Sequence, residues 1–93
     1  MEIFWNDESG YAQWRDSHPN GYVLNLPRNL TPSTYIMLHQ ATCGHIADPG
    51  PTAAPLNYTT NDYYKVCGMD REKIVAWVST QRGTFKHCAH CKP

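Results

Sequence analysis

No apolar run in this 93-residue chain approaches the ~20 residues a membrane-spanning helix requires, so no membrane contact is expected. The opening residues Met1 to Glu8 begin acidic and lack both a basic leader and a sustained apolar stretch, so no secretory signal is expected. A cytoplasmic, reducing location follows, and there cysteines more often serve metals than disulfides. Net charge is also missing: eight Lys and Arg balance eight Asp and Glu. A neutral chain is a poor general polyanion binder. Ser-His-Asp order, phosphate loop and His-Asn-His nuclease arrangement are all absent, so catalysis is not expected. There are no internal repeats, and the length leaves no room for a second core, so residues 1–93 read as a single domain.

Charge is present, but unevenly spread. Residues 1–16 carry Glu2, Asp7, Glu8 and Asp16 against Arg15. Residues 65–93 carry Lys65, Arg71, Lys73, Arg82, Lys86 and Lys92 against Asp70 and Glu72 only. The basic end can therefore meet phosphate locally even though the whole chain is neutral. Apolar residues make up 41%, which fits a folded domain, and three Trp, six Tyr and two Phe supply much buried area per residue.

Periodicity and turn chemistry place the elements. Ile3-Phe4-Trp5 reads as a short strand. Asn6 to Ser9 offers N-cap residues for a helix bearing Tyr11, Ala12, Trp14 and Arg15, which Pro19 and the Asn20-Gly21 turn terminate. Tyr22–Leu26 and Thr34–His39 read as strands of a hairpin. Residues 46–62, with three prolines, read as one long irregular segment. Tyr63–Cys67 reads as a third strand. Asp70 caps a helix carrying Ile74, Val75, Trp77 and Val78 at i, i+3, i+4 spacing, with Gly83 at its end. The expected fold is α+β: a small antiparallel sheet of three or four strands, two helices and a C-terminal zinc knuckle.

The tail from Thr84 to Cys91 reads as the knuckle, its cysteines set as Cys88-Ala89-His90-Cys91. A Cys-x-x-Cys turn points two sulfurs at one spot, which is half of a tetrahedral zinc shell. The other half must come from Cys43, Cys67, His39 or His45. Cys43 and Cys67 each precede a glycine, a residue that lets the chain turn sharply behind a ligand. An all-cysteine site of Cys43, Cys67, Cys88 and Cys91 is therefore the simplest closure. The rival pairs His39 with Cys43 at i, i+4, and Cys67 then becomes a buried hydrophobe. His87 and His90 read as exposed knuckle residues or as donors to sulfur. Thioredoxin-like redox chemistry is disfavoured, because only two residues follow Cys91 where that chemistry needs a helix.

Trp14, His18-Pro19, Gly21-Tyr22-Val23-Leu24-Asn25, Tyr35 to Cys43, Tyr64-Lys65-Val66-Cys67 and Cys88-x-x-Cys91 together resemble a family of small bacterial and phage zinc-binding domains. Such domains occur alone or attached to restriction-type nucleases, and the pattern spans Tyr11 to Cys91. The resemblance implies a DNA-associated accessory role rather than cutting chemistry. The family pattern carries a basic residue after its Leu-His where this chain has Gln40, a departure that weakens a carried-over phosphate contact. The leading expectation is a zinc-stabilised module that binds nucleic acid or a nucleic-acid-processing protein. Lys65 and Lys86 are candidates for phosphates, while Tyr22, Asn25, Arg28, Tyr35 and His39 would line a groove for stacking and base edges. The alternative is a protein-interaction adaptor or inhibitor acting on a protein partner, built on exposed rings and the Pro-rich loop.

Overall fold

The computed structural model describes residues 1–47, 58, 59 and 62–93. In chain order it runs β1 (Glu2–Phe4), α1 (Glu8–Ser17), β2 (Tyr22–Pro27), β3 (Tyr35–Gln40), the single turn α2 (Gly44–Ala47), β4 (Tyr63–Gly68), α3 (Arg71–Val78) and β5 (Thr84–His87). The class is α+β. The sheet has five strands in the order β1-β4-β2-β3-β5, not three or four. It is mixed rather than wholly antiparallel, because β5 runs parallel to β3. Residues 84–87, read from sequence as part of the knuckle, are polar enough to hide a strand. They pair nonetheless, at the open edge of β3, where the backbone ladder asks little of the side chains.

The two longer helices, α1 and α3, each start where a carboxylate meets exposed amides. Asp7 accepts from Gly10 N at 2.9 Å, and Asp70 accepts from Glu72 N at 3.0 Å and Lys73 N at 3.2 Å. The end of α3 comes at Val78, well before Gly83. Ser79 Oγ and Thr80 Oγ1 donate back to Ala76 O and Trp77 O, both at 2.6 Å, so short-range bonds replace the helical ladder there. Gly83 serves a different purpose: a Cβ on it would lie 2.7 Å from Ile36 Cγ1, so a larger residue there would force the Ile36 side chain to shift.

Strand alternation divides the core into two. Leu24, Leu26, Ile36, Leu38 and Val66 face one side, where Ile74 and Val78 of α3 cover them. Val23, Cys67, Phe4 and the partly buried Met37 face the other, with Tyr11 and Trp14 of α1 and with Cys43 and Cys88. The irregular segment expected at 46–62 falls largely outside the described residues. Of its described residues, Ile46 and Ala47 belong to α2 rather than to an irregular segment, and Tyr58 and Thr59 are clamped by Glu8, whose carboxylate accepts from the backbone N–H groups of both.

Candidate metal centre

His39, Cys43, Cys88 and Cys91 bring one donor atom each into a cluster in which all four atoms lie within 4.8 Å of one another. Four elements of the chain build it. His39 is the penultimate residue of β3. Cys43 follows one turn later, held by Cys43 N donating to Gln40 O at 3.0 Å. Cys88 continues β5, with Cys88 N donating to Leu38 O at 2.9 Å. Cys91 closes the knuckle: Gln40 N donates to its Sγ at 3.2 Å and Gln40 Nε2 to its carbonyl at 2.9 Å.

The spacing suits one small tetrahedral ion. Cys43 Sγ and Cys88 Sγ are 3.9 Å apart. Two thiolates at ~2.3 Å from zinc, set at the tetrahedral angle, stand about 3.8 Å apart. None of the four cysteines forms a disulfide. Cys88 is also prepared to ionise. Burial opposes its thiolate, but the backbone N–H groups of Cys91 and His90 and the Cys43 and Cys91 thiols outweigh that cost and lower its pKa. These four residues can hold a metal ion.

Cys67 stands apart from this cluster. In the sheet, Val23 of β2 pairs with His39 on one side and with Cys67 on the other. The two residues are therefore separated by two strand spacings, about 9.5 Å, and the Cys67 sulfur is not among the donor atoms that converge. Burial pushes the Cys67 thiol up to about 12, so it stays protonated and packs as a small hydrophobe. The fourth donor in the cluster is thus the histidine. The glycines after Cys43 and Cys67 also act differently from expectation. Gly44 opens α2, neither glycine is left-handed, and a Cβ at Gly68 would press on Ile74 at 3.1 Å.

The proposed contact residues do not form one groove. Lys65 is 4% exposed; its ammonium donates to Asn25 Oδ1 at 2.7 Å and Tyr58 O at 2.8 Å. Burial lowers its pKa to about 8, against the opposing pull of Glu8 and Cys67. Lys65 and Asn25 are thereby taken out of the surface set. Arg28 is likewise spent internally, donating to Asn6 Oδ1 and Thr59 O and lying 4.4 Å over the Trp5 ring. Tyr35 is 57% exposed, with the Lys86 ammonium 5.2 Å from its ring centre. Tyr22 lies at the opposite end of the sheet from Tyr35, where it pairs with Gln40. His87 is exposed and meets Arg71 Nη2 at 2.5 Å, and His90 contributes its backbone N–H to Cys88. The His45 side chain lies outside what is described. Sequence reasoning gave Gln40 no structural role, because an amide that clamps a knuckle has no spacing signature.

No protein-family model matches this chain, and no curated protein or solved structure matches it at a significant level. Among the described residues, no helix is long and apolar enough to cross a membrane.

Proposed function

We propose that the domain is a zinc-stabilised nucleic-acid-binding module, without catalysis of its own, whose β5 edge meets the phosphate backbone. The observation that carries this reading is the position of the metal cluster. Two of its four donors lie immediately after β5, so the ion would anchor the edge strand where the cationic residues concentrate. Chemistry favours zinc: one imidazole and three thiols are a borderline-to-soft set at tetrahedral spacing, and the thiols stay reduced in a cytoplasmic setting. No acid occurs after Glu72, while Arg82, Lys86 and Lys92 flank or sit on β5, and Arg71 reaches it through His87. The Lys86 ammonium lies over one face of the exposed Tyr35 ring, which suits a phosphate next to a base stacked on the other face.

Native mass spectrometry of the purified protein should show one zinc per chain. Binding to a fluorescent 12-nucleotide single strand should weaken with salt, with a log–log slope of about −3 for four phosphate contacts. A salt-independent affinity, or none, defeats the phosphate reading. An accessory role beside a nuclease, which the family resemblance implies, fits a binder of this kind. A second reading rests on Met1, Ile3, Trp5, Tyr63 and Met69, large apolar side chains left exposed around β1 and β4. They would suit a protein partner, and stoichiometric co-purification of a protein without nucleic acid would favour that reading.

A further inference from the structure

A pocket of about 340 Å³ opens where the turn after α1 meets the adjoining ends of β2 and β3, lined by Pro19, Asn20, Gly21, Tyr22, Gln40 and Thr42. That volume sits at the low end of the ~300–1,000 Å³ of small-molecule sites. None of the six residues is charged, so the lining offers no cation to a phosphate and suits a neutral polar group. Its walls are fixed. Gly21 N donates to His18 O at 3.0 Å, and Gly21 O accepts from Ala41 N at 2.9 Å. A Cβ on Gly21 would lie 2.5 Å from Trp14 Cη2, so the turn is seated hard against α1. Tyr22 is packed against the aliphatic core beneath α3, which gives a ring held in place.

Gln40 is the informative residue. Its Nε2 donates to the Cys91 carbonyl, and a carbonyl can only accept, so the amide cannot be reversed. One N–H of Nε2 is spent there. The second N–H and Oε1 make no hydrogen bond among the described residues, which leaves one donor and one acceptor on the same amide. That pair complements the N7 acceptor and N6 amino donor of adenine, the amide–base pairing found in direct readout. We propose that this pocket takes a single unpaired adenine, read by Gln40 and stacked on Tyr22, while the strand's phosphates follow the cationic edge.

The proposal rests on the nucleic-acid reading above but can fail separately from it. Anisotropy titrations with 12-mers of deoxyadenosine, of thymidine and of abasic sugar-phosphate, at two salt concentrations, test both. The adenine strand should bind about tenfold tighter than the other two, the value of one good amide–base pair. Gln40→Met keeps the backbone donor to Cys91 Sγ but removes the amide, and Thr42→Tyr blocks the pocket mouth from an exposed position. Each should abolish the adenine preference, and Thr42→Tyr, at an exposed position outside the donor set, should also retain the salt slope and keep one zinc per chain. Equal binding of all three strands with a normal salt slope overturns the pocket and leaves the phosphate edge standing. Adenine preference without a salt slope supports the pocket and overturns the edge. Binding of none of the strands overturns both, as does a preference that survives both variants for the pocket alone.

Discussion

The two faces of the sheet are built from different materials. Under α3, the face is aliphatic: Leu24, Leu26, Ile36, Leu38 and Val66 meet Ile74 and Val78, and burial of hydrocarbon accounts for its cohesion. Under α1 and the knuckle, the same strands present Val23, His39, Cys67, Asn25 and Lys65, and the cover includes Tyr11, Cys43 and Cys88. Polar atoms on that side have specific partners. The Tyr11 hydroxyl donates to Ile46 O at 2.9 Å, Lys65 has two acceptors, and the sulfurs converge at metal-ligand spacing. An aliphatic face tolerates repacking and loses stability in increments. A face of hydrogen-bonded groups and converging metal donors depends on each of those polar groups keeping its partner.

Metal removal is the severest way to break this contrast. Structural zinc contributes an apparent ~10–16 kcal/mol in small zinc-dependent folds. A chelator, Cys88→Ser or His39→Ala should therefore abolish the cooperative thermal transition, measured by circular dichroism with and without added zinc. A chelator-treated sample that melts like the untreated one would remove the metal from the account. On the aliphatic face, Leu24→Ala should cost about 3 kcal/mol in urea denaturation while leaving the zinc content at one per chain.

A smaller effect sharpens the polar face. Lys65 has a folded pKa of about 8, below its ordinary 10.5. Above about pH 8 the unfolded chain binds the extra proton, so this group makes stability rise with pH, by at most ~1.4 kcal/mol per unit. Above pH 9 Cys67 acts in the opposite sense, since its folded pKa of about 12 keeps it protonated while the unfolded thiol ionises. The buried Tyr11 hydroxyl, also pushed upward, adds to that loss above pH 10. Wild-type protein should gain stability between pH 8 and 9, and Lys65→Met should flatten that rise in urea midpoints. The smallest change is Cys67→Ala, at about 1 kcal/mol with full zinc retention. Loss of zinc in Cys67→Ala but not in His39→Ala would reverse the ligand assignment.

Much of the fold was legible because local chemistry specified it. Asp7 and Asp70 are caps, Asn20-Gly21 is a turn, and the alternation in Tyr22–Leu26 and Thr34–His39 marks strands that do pair as a hairpin. The β5 strand was not legible, since Thr84-Phe85-Lys86-His87 has no buried run and acquires its conformation from the edge it joins. Three of the four cluster donors could be named from cysteine spacing, while the choice between His39 and Cys67 could not be made from it.

Sequence alone determined the inventory: four cysteines and His39 as candidate donors, a basic C-terminal third free of acids beyond Glu72, and two helices with acidic caps to cover a sheet. Tertiary structure decided which side chains meet. Because β5 pairs with β3, the knuckle arrives beside His39 and Cys43, while Cys67 on β4 lies beyond β2 and is buried in the core.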